Sequence, residues 1–315
     1  MLVDDIERIA VVGAGLMGHG IAQEFALAGY QVSLHSRTEK SLDAALDHIS
    51  TNLDRLIRLG VISPPQAAAV PKRIHPSADL HTAVREADIV IESVYEDAGL
   101  KKRIFQELDG LCPAHTILAS NTSTLLLSQF ATDTQRPDKV IISHYANPPY
   151  LIPIVELVRG ATTSDETLET MAALLTHVGK RPVIVQKEVP GFILNRLQGA
   201  LLREALSMVE QGIASPQDID TALKNSIGRR WAVAGIFEVF ELAGWDLLSA
   251  AMAGVYPHLS NATEVSSVLT DQVKRGELGV KTGKGFYTWT PESAEALRHR
   301  IAHALVEIES WADES

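Results

Sequence analysis

Cysteine and basic residues are scarce in this chain of 315 residues, and it has no long apolar run. The single cysteine, Cys112, excludes an intramolecular disulfide and a cysteine-built metal site, and it indicates a reducing compartment. The 28 Lys and Arg residues face 39 Asp and Glu residues, so a net charge of −11 argues against nucleic acid as a partner. No uncharged apolar run reaches the roughly 18 residues of a membrane span, and the acidic start MLVDDIER is unlike a signal peptide. We therefore expect a cytoplasmic protein that binds no membrane and no metal.

Length and composition predict a globular protein of about two domains. Short β-branched runs alternate with helical patterns through the first part of the chain, which is typical of a doubly wound, mainly parallel α/β sheet. The expected strands are 8–13, 31–35, 88–93, 116–120, 140–143, 152–157 and 183–186. Beyond Lys187, apolar residues recur at helical spacing and no strand pattern returns. The sequence thus predicts a dinucleotide-binding Rossmann domain over residues 1–187 and an all-α domain over residues 188–315.

A glycine-rich motif stands between the first strand and the first helical pattern. The residues Gly13-Ala14-Gly15-Leu16-Met17-Gly18 match G-x-G-x-x-G in the strand–turn–helix setting that the motif requires. The first glycine allows the tight turn, the second lets the backbone approach a pyrophosphate, and the third lets the helix pack on the strand. This motif predicts a dinucleotide site with Gly13, Gly15, Leu16, Met17 and Gly18 as contacts.

The end of the second strand bears on which dinucleotide is bound. A carboxylate about 20 residues after the glycine motif usually holds a free ribose 2′-hydroxyl. Here the chain reads His35-Ser36-Arg37-Thr38, with Lys40 close behind. A guanidinium and hydroxyls suit a 2′-phosphate, which favours NADP(H). The alternative is that Arg37 stacks on an adenine and NAD(H) is bound.

Several segments place polar residues where strand or helix ends meet the cofactor crevice. Removing a hydride from a secondary alcohol needs a base for the hydroxyl proton, and an imidazole suits that task. A carboxylate on the far ring nitrogen fixes the tautomer, so His144 and Glu156 are the candidate pair. Each residue alone also has an ordinary structural interpretation, and spacing leaves the choice open.

At these residues the sequence resembles the 3-hydroxyacyl-CoA dehydrogenase family. Six motifs in order carry the resemblance over nearly the whole chain: VVGAGLMGHGIA, ADIVIESVYED, SNTST, SHYANPPYLIPIVELV, KEVPGFILNRL and GVKTGKGFY. The resemblance implies a Rossmann domain, a helical domain that mediates dimerisation, and nicotinamide-dependent oxidoreductase activity on a CH–OH group.

The resemblance also implies roles for particular residues. His144 would be the general base and Glu156 would orient it, while Ser123, Asn147 and Asn195 would line the site. On the nicotinamide side of the cofactor, it implies contacts from Glu96, Lys101 and Lys281.

Departures from the family pattern point to a small free acid as substrate. Members that use coenzyme A carry a serine and a lysine in the segment after strand two. In an ungapped alignment, Asn52 and Leu59 occupy these two positions. The sequences of the motifs are more similar to the branch of the family that contains λ-crystallin (L-gulonate 3-dehydrogenase), carnitine dehydrogenase and a pyridine-carboxylate dehydrogenase. The segment Arg229-Arg230-Trp231 fits a carboxylate clamp, although a helix end with a packing tryptophan explains it equally well. The alternatives are an NAD-dependent 3-hydroxyacyl-CoA dehydrogenase of fatty-acid breakdown and a non-catalytic, crystallin-like dinucleotide-binding protein.

Overall fold

The computed structural model describes residues 1–312. Its contacts divide the chain into two compact units, and the division falls between Arg196 and Leu197.

The first unit is built on one eight-stranded sheet of order β3-β2-β1-β4-β5-β6-β7-β8. The strands are β1 Arg8–Val12, β2 Gln31–His35, β3 Ile74–Ser77, β4 Ile89–Glu92, β5 Ile117–Ser120, β6 Val140–Tyr145, β7 Ile154–Arg159 and β8 Arg181–Val185. Neighbouring strands pair in parallel except at β6–β7, which is antiparallel. The order reverses direction between β1 and β4, and ligands of such sheets bind outside the carboxyl ends of the strands at this point.

Helices cover both faces of this sheet. Those that lie wholly within the first unit are α1 Gly18–Leu27, α2 Glu39–Arg58, α3 Pro64–Ala69, α4 Leu80–Val84, α5 Ala98–Leu111, α6 Leu127–Phe130 and α7 Asp165–His177. One buried cluster joins Phe25 of α1 and Leu42 of α2 to Met171 of α7, and another lies on the opposite face around Phe105 and Phe130. Since both faces are covered, the central strands β4 and β5 are buried at every residue rather than at alternate ones.

The second unit is helical. Its described helices are α8 Leu194–Glu210, which begins three residues before the division, then α9 Pro216–Asn225, α10 Ile227–Trp231, α11 Ile236–Glu241, α12 Trp245–Val255, α13 Ser267–Lys274 and α14 Pro291–Ala312. Ser215 caps α9 by accepting a hydrogen bond from the amide of Asp218 at 3.1 Å. No helix among residues 1–312 combines the length and apolar composition needed to cross a membrane.

The expected fold class, a mainly parallel Rossmann sheet followed by a helical domain, is confirmed. The sequence analysis did not anticipate β3, because Ile-His-Pro-Ser is short, polar and carries a proline. A proline is tolerated there because β3 is an edge strand that pairs only with β2.

Candidate active site

His144 and Glu156 lie directly opposite each other across the antiparallel pair β6–β7. The ring Nδ1 of His144 is 2.6 Å from Oε2 of Glu156, and both side chains are buried. The reversal of direction between the two strands therefore brings residues twelve apart in the chain into contact. The ring of Phe192 packs edge-on against that of His144, with 5.5 Å between centroids.

The second carboxylate oxygen of Glu156 is held by backbone. Its Oε1 accepts hydrogen bonds from the amides of Ile193 and Leu194, at 2.7 and 2.9 Å, where α8 begins. Burial alone would raise the pKa of Glu156, but the bonds from His144 and from these amides outweigh burial and lower it. Glu156 is therefore ionised and can only accept, so the proton of this contact lies on Nδ1. Whenever the ring is neutral, Nε2 is therefore the nitrogen that can act as a base.

The start of α8 also reaches the loop that follows β5. Asn195 Nδ2 donates to the backbone carbonyl of Ser123 at 3.2 Å. A continuous set of contacts thus runs from His144 through Glu156 and the first residues of α8 to Ser123. The structure brings these four candidate residues, His144, Glu156, Asn195 and Ser123, into one place.

Glu96 holds the Ser123 loop from another direction. Its Oε1 accepts bonds from the Ser123 and Thr124 amides, at 3.0 and 2.8 Å, and from the Thr122 hydroxyl at 2.7 Å. Partial burial would raise the pKa of Glu96, but these bonds and the nearby Lys101 cation lower it to about 2. Oε1 of Glu96 thus binds the Ser123 loop, while its Oε2 lies 3.6 Å from Lys101 Nζ.

Asn147 is exposed in the loop after β6, and no side-chain hydrogen bond ties it to the other described candidates. The loop itself is anchored at Pro149, whose carbonyl accepts a bond from the buried amine of Lys180 at 2.6 Å. Lys180 also pairs with Glu24 of α1. Asn147 thus stays available for a ligand while its loop is fixed.

The turn between β1 and α1 has the form that a pyrophosphate requires. Gly13 has φ +111°, and a Cβ there would lie 2.4 Å from the Ser93 carbonyl oxygen. A Cβ on Gly18 would lie 1.7 Å from the Gly13 carbonyl oxygen, so both positions accept only glycine. A Cβ on Gly15 would meet nothing within 4 Å, which leaves the open cradle of a dinucleotide turn. Met17, the N-cap residue of α1, makes no side-chain cap bond, so the start of this helix is open to an anion, and Leu16 is exposed beside it.

The residues that end β2 divide into two groups. Thr38 caps α2 by accepting a bond from the Ser41 amide at 3.2 Å, so its hydroxyl has a structural task. Ser36 is half-buried, while Arg37 and Lys40 are exposed without an ion pair inside residues 1–312. Burial lowers the pKa of His35, which favours its neutral form.

The remaining predicted residues lie in the second unit. Arg229, Arg230 and Trp231 fall in the five-residue helix α10 and are exposed, and Lys281 is exposed in the loop before α14. The Arg229 guanidinium donates to Asn225 Oδ1, with 3.5 Å between nitrogen and oxygen.

One buried carboxylate was missed by the sequence analysis. Glu92 ends β4 and is fully buried, and its oxygens accept both contacts of Lys101 Nζ, at 2.7 and 2.9 Å. Glu92 also accepts bonds from the Val94 amide at 2.7 Å and the Ser120 hydroxyl at 2.6 Å. A glutamate inside the apolar run DIVIES, with a lysine nine residues later on the next helix, was the available signal.

Models of protein families match nearly the whole chain. Residues 8–189 match the model described as 3-hydroxyacyl-CoA dehydrogenase, NAD binding domain, and residues 191–289 match the C-terminal domain of the same family.

Named relatives agree with these models. A 5-formyl-3-hydroxy-2-methylpyridine 4-carboxylate 5-dehydrogenase of Mesorhizobium japonicum is 33% identical, covering 96% of this chain and 97% of its own length. A 3-hydroxybutyryl-CoA dehydrogenase of Clostridioides difficile is 35% identical over 90% of this chain and 99% of its own. A crystal structure of the former kind of enzyme, described as an NAD+-dependent dismutase, superimposes with a TM-score of 0.90 at 33% identity, covering 96% of this chain and 97% of that one.

Proposed function

Because the chain belongs to the 3-hydroxyacyl-CoA dehydrogenase family, a family of NAD-dependent oxidoreductases that act on CH–OH groups, we propose that it oxidises or reduces a small free hydroxy acid. The observation that carries this proposal is the 2.6 Å contact of His144 with Glu156, tied through the start of α8 to Ser123. The pair provides an oriented base beside a hydroxyl and an amide, the groups that an alcohol substrate needs.

His144 exchanges the hydroxyl proton. In the oxidising direction Nε2 takes this proton while Nδ1–H stays bonded to Glu156, whose negative charge stabilises the resulting imidazolium. Ser123 and Asn147 position the substrate oxygen, and Asn195 holds the Ser123 loop in place. When bound on the turn of Gly13 and Gly18, the nicotinamide dinucleotide supplies the hydride acceptor or donor. The reverse reaction uses the same groups as acid rather than base.

The residues in and just after α2 favour a free acid over a coenzyme A thioester as the substrate. At the positions that align without gaps to the serine and lysine of coenzyme A users, Asn52 is 7% exposed and Leu59 is half-buried and apolar. Neither residue offers an exposed hydroxyl or cation to a coenzyme A tail. The similarity to an enzyme named for a pyridine carboxylate supports the same choice.

The family match supports NAD(H) as cofactor, since the matched model is an NAD-binding domain. A preference for NADP(H) is the finer proposal, and its support is that residue 36 is a serine rather than a carboxylate and that the guanidinium of Arg37 has no ion pair among the described residues. Fluorescence titration with NADH and with NADPH separates the two.

We also propose that the protein is a homodimer through its second unit. Within residues 197–311, only Leu206, Gln272, Ala294 and Ala302 are buried. Large apolar side chains are exposed instead, among them Leu242 at 90% and Phe237 at 72%. Exposure of this kind marks a surface that a partner covers. Light scattering should give twice the chain mass, and Leu242→Glu with Phe237→Glu should give monomers; a monomeric wild type contradicts the proposal.

The substrate class is tested by a panel of free hydroxy acids and 3-hydroxyacyl-CoA thioesters with NAD+ and NADP+. The proposal expects kcat/KM for a free acid to exceed that for every thioester by at least about tenfold, a difference of 1.4 kcal/mol in transition-state binding. His144→Ala should abolish turnover while the dissociation constant of the reduced cofactor stays unchanged. A thioester as the best substrate supports the fatty-acid enzyme instead, and cofactor binding without any turnover supports the non-catalytic alternative.

A further inference from the structure

Glu92 lies at the centre of the sheet, at the carboxyl end of β4. In register it stands between Val12 of β1 and Ser120 of β5, so it separates the strand before the dinucleotide turn from the strand before the Ser123 loop. It is fully buried, and its charge is compensated by Lys101, whose side chain is 1% exposed. A buried ion pair is weak evidence of a contribution to stability, because apolar residues of similar volume in its place are often neutral or stabilising.

Each oxygen of Glu92 holds a different segment. Oε1 accepts from the Val94 amide and fixes the turn after β4, whose Ser93 carbonyl lies against Gly13. Oε2 accepts from the Ser120 hydroxyl, at the residue where β5 gives way to the Ser123 loop. Lys101 Nζ contacts both oxygens and so fixes the carboxylate between the two segments.

The Ser123 loop is then held along its length. Ser120 Oγ accepts from the Thr122 amide at 3.2 Å, and the Asn121 amide donates to the Glu92 carbonyl at 2.7 Å. Asn121 Oδ1 accepts from the amide of Tyr145, the residue after His144, at 2.9 Å. One carboxylate is thus connected to the loop that carries Ser123 and, through Asn121, to the strand that carries His144.

We propose that Glu92 is a positioning residue, which sets the place of Ser123 relative to His144 and to the dinucleotide turn through its bonds to Ser120 and Val94. Glu92 acts through these neighbours and touches neither substrate nor cofactor. The kinetic part of this inference rests on the proposed function, whereas the ordering of the loop does not. Catalysis depends on such placement because a displacement of about 1 Å can lower a rate by about a hundredfold.

The chain offers a matched pair of variants at the two ends of β5, one just before the strand and one at its last residue. Ser120→Ala removes the hydroxyl that donates to Glu92 at 2.6 Å, and Thr116→Val removes the hydroxyl that donates to the Ala87 carbonyl, also at 2.6 Å. Both side chains are fully buried; Thr116 directly precedes β5, and Ser120 is its last residue. The two variants should therefore lower the melting temperature to a similar extent.

Only Ser120→Ala should affect the loop. We expect amide hydrogen exchange of residues 121–124 in the cofactor-free protein to rise by about tenfold, and kcat to fall by about tenfold, whereas Thr116→Val changes neither. Glu92→Gln should act in the same direction and more strongly, because its amide nitrogen accepts no bond from Ser120 or Lys101. If it fails to fold, Ser120→Ala decides alone.

Equal exchange and equal kcat in Ser120→Ala and Thr116→Val would overturn the proposal and leave Glu92 a structural residue. A wild type that turns over no hydroxy acid, but shows the exchange difference, contradicts the proposed function and leaves the ordering of the loop supported.

Discussion

His144 and Glu156 face each other in register across the only antiparallel strand pair of the sheet in residues 1–312, and their side chains touch at 2.6 Å. The reversal of chain direction after β6 therefore determines the site as much as the two residues do. A parallel seventh strand would need a long crossover and would bring different residues opposite His144.

Replacing Glu156 tests the orientation of the base. Glu156→Gln keeps the volume but offers an amide to Nδ1, so the ring can turn or change tautomer. We expect kcat to fall by about a hundredfold or more, with the cofactor dissociation constant unchanged. Stopped-flow single turnovers and cofactor fluorescence measure the two quantities. Wild-type turnover in this variant would remove Glu156 from the mechanism.

Two glycines of the dinucleotide turn should respond differently to a methyl group. Gly15→Ala meets no protein atom within 4 Å, so the melting temperature of the cofactor-free protein should stay unchanged while the cofactor dissociation constant rises at least about tenfold. Gly18→Ala places a carbon 1.7 Å from the Gly13 carbonyl oxygen and should lower both stability and affinity. Calorimetry of both variants checks this, and unchanged affinity in Gly15→Ala contradicts a dinucleotide at this turn.

The low pKa of Glu96 predicts a pH dependence of stability. Folding lowers this pKa from 4.5 to about 2, so the folded state favours the ionised form. The stabilisation is present above about pH 4.5 and is lost as the pH falls toward 2. Urea unfolding should be measured from about pH 6 to about pH 3. Over this range the free energy of unfolding should fall less for Glu96→Gln than for wild type. Glu107→Gln, an exposed glutamate of α5, is the control and should follow the wild-type curve.

The end of β2 should set the choice of cofactor. Ser36→Asp with Arg37→Asp puts carboxylates where a 2′-phosphate would lie, so binding of NADPH should weaken at least about tenfold while binding of NADH holds or improves. Fluorescence titration of both reduced cofactors measures this change. Equal losses for the two cofactors, or no preference for NADPH in the wild type, would defeat the 2′-phosphate interpretation.

A carboxylate clamp in α10 has its own test. Arg230→Met keeps an unbranched side chain, although a shorter one, and removes the guanidinium, so KM for carboxylate substrates should rise at least about tenfold and KM for neutral alcohols should not. Arg298→Met, a change at an exposed arginine of α14, is the control. A uniform change in KM for both substrate types contradicts the clamp.

The fold was predictable because its signals are local. The glycines from Gly13 to Gly18 and the apolar strands set out the Rossmann sheet, and β2 has the predicted limits of Gln31 and His35. The sequence could suggest a histidine and a glutamate as the candidate pair, but not that they touch. Contact between His144 and Glu156 depends on the register of β6 with β7.

Other parts of the site depend on long-range contacts that no single sequence shows. In the sequence, Glu92 is a single polar residue at the end of an apolar run. Its role follows from its contacts with Lys101 and Ser120, which only the structure shows. Thr38 looked like a cofactor contact by position, yet its hydroxyl caps α2. In both cases the partner of the side chain, rather than its type, determines the role.

The burial of the amines of Lys101 and Lys180 gives the folded protein a chemical signature. Acylating reagents label lysines that solvent reaches, so they should spare these two positions for as long as the first unit remains folded. Mass spectrometry of labelled peptides would then report when each amine is released, and thereby whether the β4–β5 region opens together with the segment around Pro149 or separately from it.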